Sequence, residues 1–252
     1  MIIGISGYAG SGKDTIGRII QYLLCSDSKP SIEEVLQDVK LHDWWLEDQS
    51  KWELKKFAFK LKLIGEILTG INMEKFEDQE FKKTKLGPEW NTYGIVRKDG
   101  TRQLNISTTP YDQDNIWLKD TENKQVTNVM TVRDFLQKLG TDGLRNGLHS
   151  DVWVNALFAD YQCIPADLVP NGWDCPNWII TDVRFKNEAQ AIKSKGGIII
   201  RVDRPGFKPI NDHPSETEID DWNFDYKIAN VSDIVSLMFT VENVLKHAKI
   251  LK

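Results

Sequence analysis

A glycine-rich segment near the start of the chain constrains the fold more than any other feature. The segment Gly7–Lys13 reads GYAGSGK and fits the pattern G-x-x-x-x-G-K. The apolar run Ile2–Ser6 precedes it, and apolar residues at helical spacing follow it from Asp14 to Cys25. Small residues in such a loop let backbone N–H groups turn toward phosphate oxygens, and the following helix adds its positive N-terminus. The sequence therefore predicts a strand, a phosphate-binding loop and a helix in that order.

The loop is of the Walker A type, in which a lysine reaches the β- and γ-phosphates of a nucleoside triphosphate. The residues expected to hold the triphosphate are Gly10, Ser11, Gly12, Lys13, Asp14 and Thr15. Position 14 departs from the pattern, because a serine or threonine usually stands there and coordinates Mg²⁺. The Asp14 carboxylate is also a hard oxygen ligand for Mg²⁺, or it stabilises the helix N-terminus by its charge alone. The sequence leaves both interpretations open.

The rest of the chain alternates apolar strands with amphipathic helices. Strand patterns occur at residues 177–182, 198–202 and 226–229, with a short strand expected at Lys56–Phe59. Helical spacing predicts helices over residues 14–25, 57–68, 131–139, 151–161, 187–195 and 234–248, and a loop with a short helix over 26–37. Continuous apolar strands separated by helices are typical of a parallel sheet. The predicted fold is α/β, a three-layer sandwich of the P-loop NTPase type with helices on both faces of a mostly parallel sheet.

One segment interrupts this alternation. Between Gly87 and Asn128, the dipeptide Asp99-Gly100 lies between two runs with β-branched residues, which is a hairpin signal. We expect residues 87–128 to form an inserted hairpin or flap on a single domain that spans residues 1–252.

Charge and composition argue against several classes of protein. The net charge of -5 disfavours sequence-independent binding to nucleic acid, which requires a basic face. No apolar run is long enough for a membrane span and no signal-peptide pattern is present, so a cytoplasmic location is expected. The cysteines Cys25, Cys163 and Cys175 are odd in number and lack CxxC spacing, so the sequence supports neither a disulfide framework nor a zinc site.

Five short stretches occur in an order that resembles one family. They are GYAGSGKDT (7–15), FAFKLK (57–62), VRDFLQKLGTD (132–142), TDVRFKNE (181–188) and RPG (204–206). In this order they resemble the bacteriophage deoxynucleoside monophosphate kinases, which are members of the P-loop nucleoside monophosphate kinase group. The 87–128 segment and the C-terminal helix match no motif of that family.

The resemblance implies transfer of the ATP γ-phosphate to a deoxynucleoside monophosphate (dNMP), with Mg²⁺ at the β- and γ-phosphates. Lys13, Arg133 and Arg184 would be the catalytic cations, and Asp14 and Asp182 the metal ligands. The substrate-binding residues would be Lys62, Arg133, Gly140, Thr141, Asp142, Trp153, Arg184 and Glu188. The resemblance also implies a homodimer and the cytoplasm of an infected host cell.

Most of these residues also have an ordinary structural interpretation. The lysine and arginines could form surface ion pairs, Asp182 could cap the following segment, and Gly140 could end a helix. Trp153 could be part of the core. His213 is interpreted as a loop histidine, because no second metal ligand lies at useful spacing.

Other functions stay open at this level. A P-loop kinase of another small acceptor, such as dephospho-coenzyme A, would share the loop and differ in its acceptor pocket, against which the LGTD and TDVRFKNE stretches argue. A non-catalytic nucleotide-binding protein would not need a second group of cations. An end-healing polynucleotide kinase would need a basic groove with interleaved aromatics, and the tryptophans do not lie in basic runs. Residue spacing specifies neither the base that is accepted nor how ribose is rejected.

Overall fold

The computed structural model describes residues 1–25, 50–97, 102–107, 121–165, 167 and 174–251. Its helices and strands are β1 (Ile2–Ser6), α1 (Lys13–Leu23), β2 (Trp52–Lys55), α2 (Ala58–Thr69), β3 (Thr92–Arg97), β4 (Arg102–Ser107), β5 (Thr121–Asn128), α3 (Val132–Gln137), α4 (Val152–Phe158), β6 (Asn177–Val183), α5 (Lys186–Ser194), β7 (Ile198–Asp203), α6 (Pro214–Thr217), β8 (Tyr226–Ala229) and α7 (Ile234–His247). The chain divides into two compact units, a first unit of residues 1–60 and 148–252 and a second unit of residues 61–147.

The first unit is built on a parallel sheet of five strands in the order β2-β6-β1-β7-β8. The central strands β6, β1 and β7 are mainly apolar because both faces of the sheet are covered. On one face, Ile16 of α1 and Val241 of α7 share a core with Ile3 and Ile5 of β1. On the other face, Ile192 of α5 packs so closely on β1 that a Cβ at position 4 would lie 2.8 Å from its Cδ1 atom. The predicted three-layer α/β sandwich is confirmed.

The strand order determines which loops meet. The neighbouring strands β1, β6 and β2 run parallel, so their carboxyl ends lie at one edge of the sheet. The glycine loop follows β1, Asp182 lies at the end of β6, and Lys56 follows β2. In open parallel sheets, ligands bind at this edge.

The second unit contains an antiparallel sheet of three strands in the order β4-β3-β5. Strands β3 and β4 are antiparallel neighbours, as the predicted hairpin requires, but Asp99-Gly100 itself lies outside the described residues. Helix α3 begins as predicted, because the Thr131 hydroxyl accepts a hydrogen bond from Asp134 N and the Asp134 carboxylate accepts one from Thr131 N. The division into one domain with an insertion over 87–128 stays a prediction, and so does the element expected over 26–37, which also lies outside the described residues.

The prediction of a strand at Lys56–Phe59 is wrong. The strand is β2, four residues earlier, and α2 begins at Ala58. The Asp182 carboxylate accepts hydrogen bonds from Phe57 N at 2.8 Å and from Ala58 N at 2.9 Å. These two bonds satisfy backbone donors at the start of a helix, so the chain turns from strand into helix here.

The helix that carries the LGTD stretch does not end at Gly140, so neither a turn nor a C-cap explains that glycine. The chain continues from α3 into a π-helix over Lys138–Asn146. A Cβ at position 140 would lie 2.8 Å from Leu61 Cδ2, and this close approach accounts for the glycine. Because π-helical segments are rare and frequently occur at functional sites, this stretch keeps its functional interest.

The expectation from the cysteine pattern that the chain has no disulfide is also wrong. Cys163 and Cys175 form a disulfide. Ile164 and Asp174 exchange both backbone hydrogen bonds across an antiparallel bridge. The next residue pair outward in such a bridge is the close, non-hydrogen-bonded pair, so the two cysteines face each other. A count of cysteines contains no information about this pairing.

No helix in the described part of the chain is long and apolar enough to cross a membrane.

Candidate active site

The glycine loop connects β1 to α1 and has the backbone conformation of its motif. Gly10 and Gly12 have φ values of 78° and 98°, which side-chain-bearing residues rarely adopt. A Cβ at Gly12 would also lie 2.5 Å from Asn230 Nδ2, an atom that donates a hydrogen bond to Ser11 O at 2.9 Å. The loop is therefore held from the β8 side, and its glycines are required by conformation and space.

Lys13 lies on the inner side of this loop. Its ammonium group donates hydrogen bonds to Gly7 O and Tyr8 O, each at 2.7 Å. Burial, and then the nearby charge of Arg184, lower the pKa of Lys13 to about 8, although Asp14 and other carboxylates act in the opposite direction. The loop therefore contains a partly desolvated cation, which an incoming anion would stabilise.

This pKa leads to a prediction for the stability of the protein without nucleotide or metal. Because the folded-state pKa of about 8 lies below the ordinary 10.5, the charged lysine destabilises the fold, fully below pH 8 and progressively less up to pH 10.5. Lys13→Met removes this penalty. The free energy of unfolding of Lys13→Met relative to wild type should therefore fall by roughly 2–4 kcal/mol between pH 7 and pH 10.5. Urea unfolding measures it, and a difference that is constant with pH would contradict it.

Asp14 contacts one side chain of β6 and one that directly follows β2. The Thr181 hydroxyl donates a hydrogen bond to Asp14 Oδ1 at 2.6 Å, and Lys56 Nζ lies 3.2 Å from the same oxygen. Burial alone would raise the pKa of Asp14, but the Lys56 charge and the Thr181 hydrogen bond outweigh it and hold the pKa below its ordinary value. Asp14 is thus ionised at neutral pH and is fixed on the sheet.

Arg184 follows β6 on a tightly bonded turn. It donates hydrogen bonds to Glu216 Oε1 at 2.7 Å and to Ser215 O at 3.1 Å, and its backbone N–H donates to the Glu188 carboxylate at 2.8 Å. Although burial opposes it, the Glu216 carboxylate raises the pKa of Arg184 above its ordinary value. The guanidinium group is therefore permanently charged and is held by α6, while Glu188 of α5 holds the Arg184 backbone.

The carboxylates of this unit fit Mg²⁺. The described residues contain no group of three or more His, Cys, Asp or Glu side chains suited to a metal. Mg²⁺ usually takes only one or two carboxylates together with substrate phosphates and water. Asp14 and Asp182 are hard oxygen donors at the same edge of the sheet, and the Asp182 charge acts to raise the pKa of both Lys13 and Arg184. The donor set matches what a phosphate-bound Mg²⁺ needs.

Several predicted substrate residues belong to the second unit. Lys62 is buried and its Nζ lies 2.5 Å from Glu77 Oε1. Arg133 donates a hydrogen bond to Gln79 Oε1 at 3.0 Å. Gly140 and Thr141 are buried in the π-helix, whereas Asp142 is exposed. Their substrate roles stay predictions.

The remaining predicted residues have structural contacts in the first unit. Trp153 of α4 is buried, with 6% of its surface exposed. Glu188 is also buried and accepts hydrogen bonds from the backbone at the start of α5. His213 caps α6 through its Nδ1, which accepts a hydrogen bond from Ser215 N at 3.2 Å. Substrate contact by Trp153 and Glu188 stays a prediction.

Four residues that shape the site were not predicted from the sequence. They are Lys56, Thr181, Glu216 and Asn230. Correct bounds for β2 would have placed Lys56 at the carboxyl edge of the sheet, where ligands bind. The other three make contacts that no local pattern reveals.

Comparisons with known proteins agree on one family. A sequence model of the family described as deoxynucleotide monophosphate kinase matches residues 1–241. An Acanthamoeba polyphaga mimivirus protein, to which the same activity is provisionally given, is 38% identical over 96 residues, covering 35% of this chain and 47% of its own length. The deoxynucleotide monophosphate kinase of Enterobacteria phage T4 is 31% identical over 116 residues, covering 46% of each chain. The deoxynucleoside-5'-monophosphate kinase of Escherichia phage T5 is 24% identical over 254 residues, covering 92% of this chain and 90% of its own. The matches thus span about half the length of the first two relatives.

Proposed function

Because the chain belongs to the deoxynucleotide monophosphate kinase family, we propose that it transfers the γ-phosphoryl group of ATP to a dNMP, giving the diphosphate and ADP. The observation that carries the proposal is the arrangement around the loop, in which Lys13 and Arg184 lie at one sheet edge with Asp14 and Asp182. Phosphoryl transfer depends mainly on positioning and charge neutralisation, and this arrangement supplies both. The names of the phage T4 and T5 relatives support the same activity.

The loop residues Gly10 to Thr15 bind the donor. Backbone N–H groups of the loop and of the first turn of α1 point toward the phosphates, as at other helix N-termini. Ser11 supplies a further donor, since its buried hydroxyl has no hydrogen-bond partner within the described chain and an unpaired buried hydroxyl is costly. Lys13 binds the β- and γ-phosphates with its ammonium group.

Mg²⁺ supplies charge neutralisation at the β- and γ-phosphates when it is bound. Asp14 and Asp182, which lie at the same edge of the sheet, would hold it directly or through water. Arg184 neutralises the charge that develops as the phosphoryl group moves, and its bonds to Glu216 and Ser215 O keep the guanidinium group in place. The acceptor needs no strong general base, because the second pKa of a phosphate monoester is near 6.

The acceptor is bound by the residues that the family resemblance assigns to it. They are Lys62, Arg133, Gly140, Thr141, Asp142, Trp153, Arg184 and Glu188. The rare π-helix over 138–146 supports a functional role for the LGTD stretch within it. The phage relatives support an enzyme that acts in the cytoplasm of an infected host cell, and the resemblance supports a homodimer.

A coupled assay of ADP release tests the proposal. It uses ATP and Mg²⁺ with a panel of dNMPs, the matching ribonucleotides and dephospho-coenzyme A. We expect turnover with at least one dNMP and little with dephospho-coenzyme A. The pattern across the panel identifies the accepted base and the discrimination against ribose. Nucleotide binding without turnover on any acceptor would contradict the kinase and favour a binding protein.

A further inference from the structure

The geometry points to Lys56 as a third phosphate-binding cation of the active site, beside Lys13 and Arg184. Lys56 follows β2 directly, and its Nζ lies 3.2 Å from Asp14 Oδ1 in the first turn of α1. That turn borders the loop in which the phosphates are bound. The inference rests on the proposed phosphoryl transfer for its catalytic part, whereas its binding part concerns phosphate alone.

The backbone position of Lys56 is fixed by the residues before and after it in the chain. Before it, β2 pairs with β6 in parallel register, with Lys55 opposite Ile180. After it, the Asp182 carboxylate accepts hydrogen bonds from Phe57 N and Ala58 N at the beginning of α2. The Lys56 backbone is therefore held at the same sheet edge as Asp182, and its side chain extends over the start of α1.

The charges around Lys56 favour an anion. The Lys56 ammonium group is paired with Asp14 in the first turn of α1, next to Lys13 of the loop. The Asp14 carboxylate also accepts the Thr181 hydroxyl, so it has a strong partner without Lys56. The N-terminus of α1 adds further positive potential at this point. A triphosphate bound in the loop would therefore be attracted by Lys56 as well as by Lys13.

A purely structural ion pair explains the arrangement less well. Partly exposed pairs contribute little to stability, and here the side chains of Lys56 and Asp14 are 29% and 55% exposed. This exposure leaves the ammonium group accessible to a ligand. Lysine is also suited to phosphate, which it binds as a point charge.

The neighbouring lysine provides a matched control. Lys55 Nζ pairs with Glu53 at 2.7 Å and lies 5.2 Å from the centre of the Trp178 ring, away from Asp14. We expect Lys56→Met to lower kcat about 100-fold and to weaken the binding of inorganic tripolyphosphate about tenfold. Lys55→Met should leave both values close to wild type, and Lys56→Arg, which keeps the charge, should recover most of the loss.

Two further measurements identify the phosphate concerned. Weaker binding of a non-hydrolysable ATP analogue with an unchanged KM for dNMP would assign Lys56 to the donor, and the reverse result would assign it to the acceptor. Lys56→Met with kcat and tripolyphosphate affinity equal to those of Lys55→Met would overturn the inference, even if its unfolding midpoint had shifted. If wild type phosphorylates no dNMP, the proposed function fails, and the tripolyphosphate comparison still decides the role of Lys56.

Discussion

Lys13→Met should lower kcat by about 10²–10³-fold while the protein stays folded. The ammonium group lies inside the loop, where it donates hydrogen bonds to Gly7 O and Tyr8 O. It is the cation of the loop that would bind the β- and γ-phosphates. Removing one positioned charge from a preorganised site costs about 10²–10³-fold in kcat, and the loss of donor affinity adds to this in kcat/KM. Steady-state kinetics with the preferred dNMP measure both values.

The control for this variant is Lys51→Met. Lys51 is exposed just before β2, at the amino end of the strand and so at the opposite edge of the sheet from the loop. Lys51→Met removes the same charge from the protein as Lys13→Met and should leave kcat within about twofold of wild type. If Lys13→Met retained a tenth or more of wild-type kcat, the loop would not be the donor site.

Arg184→Met should lower kcat by about 10³-fold and also destabilise the protein. The Glu216 side chain is only 2% exposed and Arg184 is its ion-pair partner at 2.7 Å. Removing one member of a buried pair leaves an uncompensated charge, which costs about 3 kcal/mol. Urea unfolding measures the second effect independently of activity.

A double variant separates the two effects. Arg184→Met combined with Glu216→Gln has no unpaired carboxylate, so most of the stability should return while kcat stays low. Glu216→Gln alone keeps the guanidinium group and should retain far more activity than Arg184→Met. Recovery of kcat in the double variant would show that Arg184 acts only by stabilising the fold.

The fold was predictable because its signals are local. The loop pattern between an apolar run and an amphipathic helix predicted β1, the loop and α1, and the structure confirms all three. The apolar strands predicted a parallel sheet because burial on both faces leaves no alternation. The start of α3 was also predictable, since the capping residues Thr131 and Asp134 are three positions apart.

The errors have a different physical origin. The change from strand to helix after Lys55 depends on the Asp182 carboxylate, which is 125 residues from Phe57 along the chain. The Cys163–Cys175 disulfide depends on a backbone bridge between Ile164 and Asp174. In both cases the decisive partner lies outside any local window, so propensity and spacing could not reveal it.

The sequence by itself determined the phosphate-binding loop, the parallel α/β sheet and the order of motifs that matches one kinase family. These follow from periodicity and backbone requirements within short stretches. Only the tertiary structure decided what surrounds the loop, since Asp14 meets Thr181 across 167 residues and Asn230 meets Ser11 across 219. Lys56 approaches Asp14, and Glu216 holds Arg184, for the same reason. Parallel strands bring their carboxyl ends together regardless of distance along the chain, and the chemistry of the site arises from that meeting.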